Sequence, residues 1–248
     1  MKHLIIGILL LMDISLFAQS VRVEYLEESK RELPPGSSQA AIDFMRFTKA
    51  VLIATPERSW YETERDSIMV EKVEVSSIDP EILKKIPLKG DMQQNITSRR
   101  RWFRVMSAQY KEFITRVNAS YTTLYGEKLH VERPLQVYDW IINNETTVVA
   151  GMMCKKATAT LPSQSAIEAW FTDEIPLANG PAIYHGLPGL ILKIEAEHIT
   201  ISATKVSFIE KPEIKRWENS RLVAEDNLNE ALRQIRIDKK SQAAKQEN

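Results

Sequence analysis

The sequence predicts a mainly β fold: an antiparallel curved sheet, sandwich or open barrel, with a short N-terminal helix and a C-terminal helix. Three observations carry that prediction. Short segments of alternating or β-branched residues follow one another, separated by turn residues. No helices of crossover length lie between them, as parallel pairing would require. After Pro212 the apolar spacing changes from two to that of a helix.

Taken in order, Val21–Tyr25 alternates as a first strand and Pro34-Pro35-Gly36 ends it. Ala40, Ala41, Phe44, Phe47 and Thr48 recur near helical spacing, which predicts a short helix over Gln39–Lys49. Ala50–Ala54, Thr55-Pro56 and Arg58–Glu62 read as strand, turn, strand, and Ser67–Val75 alternates again. Ser76–Ser98 is the loosest stretch and a candidate boundary, with Asp79-Pro80, Ile86-Pro87 and Lys89-Gly90. Further strands are expected at Trp102–Val105, Lys111–Val117, Leu135–Ile142, Val148–Gly151, Lys155–Leu161 and Ile167–Thr172.

The clearest strand comes near the end. Leu190, Leu192, Ile194 and Ala196 fall on one face, and Ile191, Lys193, Glu195 and Glu197 on the other. Ile199, Ile201 and Ala203 begin its partner, and a slip of parity before Val206 and Phe208 predicts a β-bulge near Thr204–Lys205. Ala224, Leu228, Ala231, Leu232 and Ile235 then form one helical stripe, with Arg233, Arg236, Lys239 and Lys240 at the end favoured by the helix dipole. That stripe is expected to dock on the chain's own sheet, with docking on a partner as the alternative.

The N-terminus has a different character. Lys2 and His3 precede the apolar run Leu4–Met12, and Leu16-Phe17-Ala18 stands before Gln19. This is the order of a cleavable secretory signal, so residues 1–18 are expected to be removed and the protein to work in the periplasm or outside the cell. The run falls short of the roughly 20 residues that span a bilayer, so the mature chain is not expected to be membrane-spanning. Residues 19–215 are expected to form the β-rich domain, 216–240 the amphipathic helix and 241–248 a disordered tail.

The 248 residues carry 33 basic and 33 acidic side chains, which argues against a general attraction to nucleic acid or anionic membrane. Cys154 is the only cysteine, so no internal disulfide is possible. It is expected as a small buried hydrophobe, not a nucleophile.

Gly186, Leu187, Pro188, Gly189, Leu190 and Ile191 spell a hexapeptide. Trp170, Phe171, Thr172, Pro176, Gly180 and Pro181 precede it, and Trp140, Gly151, Cys154, Lys156 and Ala157 lie upstream. This set resembles the GLPGLI family of exported Bacteroidota proteins, over about Trp140 to Ile194. The sequence departs from the family pattern at Met152-Met153, where an aromatic residue is common, and at Leu161–Gln164, where a Gly-Arg pair often sits. The resemblance implies an exported envelope protein and lends no activity, cofactor or catalytic residue. Physically, Leu187-Pro188-Gly189-Leu190 suits a type II turn, with Pro188 fixing φ at the second position and Gly189 at positive φ in the third. A structural turn that launches the following strand is the expectation, with a ligand loop as the alternative.

Chemical motifs are sparse. His130, His185 and His198 lack the paired spacing of a zinc site. No nucleophile elbow, P-loop or dinucleotide fingerprint is present, and no metal or cofactor is expected. Arg99-Arg100-Arg101 before Trp102 and Phe103 reads as a solvated strand entry. The acceptor patterns at Asn95, Asn118 and Asn144 read as chance, and Asp66-Ser67-Ile68 resembles a short O-glycan acceptor. The functional reading placed first is a non-enzymatic binding or assembly module for an apolar ligand or another envelope protein. Second is an accessory subunit of an outer-membrane or surface transporter, docking by the C-terminal helix. Third is a metal-assisted hydrolase using His185, His198 and nearby carboxylates such as Glu195 and Glu197.

Overall fold

The computed structural model describes residues 20–64, 67–74, 97–104, 106–161, 163 and 165–246. The signal reading over 1–18, Asp66 and most of the loose stretch, residues 76–96, lie outside the described residues, as do the side chains of Ser67 and of Arg99–Arg101. Strands β1 (Ser20–Ser29), β2 (Phe47–Ala54), β3 (Arg58–Thr63), β4 (Ser67–Glu74), β5 (Thr97–Arg104), β6 (Ser107–Glu112), β7 (Val117–Leu124) and β8 (Glu127–Pro134) make up the first half. Helix α1 (Gln39–Arg46) lies between β1 and β2. The second half has β9 (Ile141–Val149), β10 (Met152–Thr160), β11 (Ala166–Thr172), β12 (Leu190–Glu195), β13 (Ile199–Ile209) and β14 (Arg221–Leu222), then helix α2 (Leu228–Gln246). The mainly β, antiparallel, open-sheet class expected from the sequence is the observed one.

Twelve strands form one sheet in the order β14-β8-β7-β6-β3-β2-β1-β13-β12-β11-β10-β9, and β4-β5 pair as a separate hairpin. Two meanders therefore meet where β13 returns to lie beside β1. The link between them sets the shape. β8 and β9 stand ten strand positions apart in the sheet, about 48 Å if it were flat at ~4.8 Å per strand. The extended chain from Pro134 to Ile141 reaches only about 25 Å. The sheet has to curl.

Curling buries side chains on the inside. Val21, Val23 and Tyr25 of β1, Leu52 and Ala54 of β2, Tyr61 of β3, Ile167, Ala169 and Phe171 of β11, and Leu190 to Leu192 of β12 share one core. The Tyr25 hydroxyl donates to the Ile191 carbonyl at 2.7 Å, tying the first strand to the hexapeptide. On the opposite face of the first meander, Trp60, Ala108, Tyr110, Ala119 and Tyr121 form a second cluster, covered by Ile214 and Trp217. Arg216 packs its guanidinium on the rings of Tyr110 and Tyr121 and pairs with Glu132.

Several sequence expectations change at this level. α1 ends at Arg46, and Phe47–Lys49 already belong to β2. Its N-cap is Ser38, whose hydroxyl accepts from the Ala41 amide at 3.2 Å. The strand expected over Lys111–Val117 is cut by a turn in which Arg116 adopts φ 56°. β7 and β8, which no alternating run predicted, follow it. The apolar positions of β7 are small or aromatic (Ala119, Tyr121) among polar residues, and β8 offers only Leu129 and Val131, so the period-two signal is weak. The strand expected over Leu135–Ile142 begins only at Ile141. Two-residue turns with both φ positive, Tyr125-Gly126 and Ala150-Gly151, close the β7–β8 and β9–β10 hairpins.

The bulge expected near Thr204 is present: Glu24 pairs with Lys205 and Tyr25 with Ala203, leaving Thr204 as the extra residue. A second bulge was not foreseen. Trp170 pairs with Lys193 but Phe171 pairs with Ile191, so Leu192 is extra and the parity of β12 shifts there. Ile191, expected on the wet face, is consequently fully buried along with Leu190 and Leu192, and strict alternation resumes only from Lys193.

α2 starts at Leu228, preceded by a short 3-10 turn (Glu225–Asn227), and it continues through Gln246 where a tail was expected. Ile235 is buried against Leu129 and Val223, with Leu228, Ala231 and Leu232 beside them. Most of the stripe thus packs on the chain's own sheet, whereas Ala224, expected within it, stands before the 3-10 turn and is exposed. Ile235→Ala is expected to lower unfolding free energy by about 2 kcal/mol, while Ile237→Ala, on the exposed side, should change it by less than about 0.5 kcal/mol. Denaturant unfolding of both variants measures the difference.

Candidate functional site

The hexapeptide and its lead-in belong to one long loop, residues 173–189, between β11 and β12. Its backbone is folded on itself: Leu177 N–H donates to Ile175 O at 2.7 Å and Asn179 N–H to Leu177 O at 2.6 Å. The two legs are then joined by Gly186 N–H to Ala178 O, Leu190 N–H to Ile175 O and Ile191 N–H to Asn179 O. Ile175, Leu177, Tyr184 and Leu187 are buried beneath it. These backbone bonds make the loop part of the wall.

The glycines hold their places for a reason other than the expected one. Gly189 does not adopt positive φ, so the type II turn is absent; Gly186, at φ 94°, is the left-handed position. A Cβ on Gly189 would sit 2.1 Å from the Thr172 carbonyl oxygen, and one on Gly180 would sit 2.7 Å from Ile191 Cβ. Both are close-approach glycines, where backbone and neighbour leave no room for a methyl group. Pro188 and Pro176 are exposed, whereas Pro181 is buried and its carbonyl accepts from Tyr184 N–H at 3.0 Å.

Trp140, far upstream in sequence, meets the loop. Its indole N–H donates to His185 O at 2.9 Å and its ring stacks on Tyr138 with centroids 5.3 Å apart. The His185 ring packs edge-on against Phe113 at 5.4 Å and Tyr138 at 5.6 Å. Burial drives its pKa down to about 4, with the Arg116 charge acting in the same direction and a hydrogen bond with the Gln136 backbone opposing it.

Beneath the loop lies a polar row that sequence reasoning missed. Ser59, Lys111 and Asn118 are cross-strand partners on β3, β6 and β7, so they share one face. Lys111 is wholly buried, and its Nζ donates to Gly180 O at 2.7 Å and Tyr184 O at 2.8 Å. Ser59 Oγ, Asn118 Oδ1, Asn179 Nδ2 and His185 Nε2 are buried without a hydrogen-bond partner. Nothing in the local pattern around Tyr110-Lys111-Glu112 distinguishes this lysine from a surface one. Only the curl of the sheet makes it internal.

The remaining motif residues have structural places. Cys154 and Ala157 are buried in the β10 core positions, and burial pushes the Cys154 thiol up to about 11, far from a reactive thiolate. Phe171 and Thr172 are buried on β11. Lys156 spans Glu145 and Glu168 at 3.4 and 3.1 Å, over the half-buried Trp170 ring. Gly151 sits in the β9–β10 turn.

The histidines do not converge. His185 precedes β12 and His198 follows it, so about 20 Å of strand separates them. His198 is exposed beside Glu197, and His130 stacks on Tyr121 in the other half of the sheet. Among the described residues no three His, Cys, Asp or Glu side chains are placed to share a metal ion. The arrangement that a metal-assisted hydrolase needs is not formed by these residues.

The fold is similar to that of PNGF-II, seen in two crystal forms. In one the identity is 17% and the TM-score 0.51, over 86% of this chain and 32% of PNGF-II. In the other the values are 15% and 0.52, over 87% and 33%. The chain therefore spans about a third of the length of that protein, and the likeness is one of fold. A conserved protein from Thermus thermophilus, described as uncharacterized, is similar at 8% identity and TM-score 0.40, over 84% of this chain and 91% of its own. No curated protein matches the chain. Residues 155–193, running from β10 through the loop into β12 and containing the hexapeptide, match a family model described as "Protein of unknown function (Porph_ging)".

Two outcomes follow from this geometry. Gly189→Ala is expected to destabilise the protein by about 3 kcal/mol through overpacking, and Gly186→Ala by only about 1 kcal/mol through its φ, as measured by denaturant unfolding. His185 is neutral in the fold and takes up a proton more readily when unfolded. Its contribution is complete above its ordinary value of 6.5 and is lost as pH falls towards about 4. Unfolding free energy measured across that window should decline in the wild type and flatten in His185→Phe.

Proposed function

We propose that this chain is an exported cell-envelope protein that acts as a non-enzymatic binding or assembly module, offering the β9 edge of its sheet to an extended segment of another envelope protein. The observation that carries this reading is the state of the two edges. At one, β14 and α2 cover β8. At the other, the nine-residue β9 is hydrogen-bonded to β10 alone among the described residues, although it also approaches β13. Ile141, Ile142 and Val148 on it, and Met153 paired with Val148, are exposed large apolar side chains. A sheet edge of this kind supplies backbone hydrogen-bonding groups to an added strand, with the side chains giving selectivity.

The interior supports a protein partner over an apolar ligand inside the sheet. Tyr25, Tyr61, Phe171, Ile191 and Leu192 fill the core from within. Export is supported by the order of residues 1–18 and by the resemblance of Gly186–Ile191, within the matched residues 155–193, to the hexapeptide of the GLPGLI family.

Photo-crosslinking in intact cells tests the reading. A photoreactive residue at Val148 is expected to yield a discrete adduct in the envelope fraction, carried by a mature chain that begins at Gln19. The same residue at Tyr125, exposed on a distant hairpin, should yield none. Equal capture at both positions, or capture at neither, would remove the edge from consideration.

A further inference from the structure

We propose that Lys111 is a protonation-controlled latch: as a neutral amine it pins the Gly180–Tyr184 stretch of the 173–189 loop to β6, and taking up a third hydrogen releases that stretch. The hydrogen-bond stoichiometry carries the proposal. A neutral amine has two N–H groups, and Lys111 Nζ has two partners, the carbonyls of Gly180 and Tyr184. An ammonium has three, and the side-chain acceptor directly across the ladder, Asn118 Oδ1, makes no hydrogen bond. Among the described residues no carboxylate forms an ion pair with Lys111, although the side chain is entirely buried. A buried charge without a partner is costly enough that the group gives up its proton instead. Burial accordingly holds the amine well below the ordinary lysine range.

Protonation would put an uncompensated charge into this closed site. Around the amine stand the carbonyls of Gly180 and Tyr184 and, across the ladder, Ser59 and Asn118; His185 lies near enough to feel it, with Arg116 beside His185, and none of these is an acid. His185 and Arg116 add repulsion once His185 is also protonated. Water relieves the charge only if it reaches Nζ, and it reaches Nζ only if the loop lifts. Lifting breaks the two carbonyl bonds and the Trp140 contact to His185 O, and uncovers the aromatic side chains of Tyr138 and Tyr184.

The test uses the full mature chain with lysine 13Cε labelling and amide hydrogen exchange. Lys111 is expected to titrate well below the other lysines. Exchange at Tyr184 and His185, corrected for intrinsic rates, should rise about tenfold for each unit that pH falls between the ordinary lysine value and that midpoint, and level off below it. The step should vanish in Lys111→Met, which keeps the stem and carries no proton, and should persist in His185→Phe. Lys111→Arg, permanently charged, should exchange fast at every pH. Titration of Lys111 together with the bulk lysines overturns the proposal, as does an unchanged exchange step in Lys111→Met. If the variants do not fold, the wild-type titration decides alone.

Discussion

The six-residue crossing from β8 to β9 constrains the rest of this fold. A link too short to span a flat twelve-stranded sheet brings its distant parts together, and a curled sheet has an inside. Side chains on the inner face then lose water whatever their chemistry. Apolar residues gain from this at about 25 cal/mol for each square ångström buried. Polar ones need partners, and the loop after β11 supplies them. Its backbone carbonyls meet Lys111 while its own side chains, Ile175, Leu177 and Leu187, complete the apolar core.

This division explains why a loop and not a strand carries the recurring glycines. For the loop to lie flat on β11 and β12, its backbone must touch theirs. Gly189 against Thr172 and Gly180 against Ile191 are the contacts where any side chain would hold the layers apart. Ile191, driven inward by the bulge at Leu192, then receives the Tyr25 hydroxyl on its carbonyl. One irregularity in β12 thus places the hexapeptide at the junction of the two meanders.

Much of this was legible in the sequence, and the boundary of legibility has a physical cause. Local periodicity revealed the Lys193–Glu195 end of β12, the Thr204 bulge and the Leu228–Ile235 stripe, since each is decided by residues a few positions apart. Gly180 was visible only as a motif position and Gly189 only as a turn residue, because the atoms that forbid a Cβ at each belong to Ile191 and Thr172 in another layer. β7 escaped because its buried positions, Asn118, Ala119, Tyr121 and Thr123, contrast little with their neighbours, and β8 because Leu129 and Val131 alone are too short an alternation. Lys111 was invisible for the deepest reason: a lysine between a tyrosine and a glutamate reads as surface until the sheet closes over it.

The two borders of the sheet are unlike, and this has a consequence for growth. A strand ribbon open at both sides is a polymer subunit, because each added copy presents a fresh margin to the next and the series need not close. Here the far border carries the two-residue β14, with the last helix packed on Leu129 of β8 behind it, so on the edge-pairing reading recruitment at the near border ends after a single event. On that reading the molecule would accept one neighbour without becoming a link in a fibre, a useful limit for a surface this apolar.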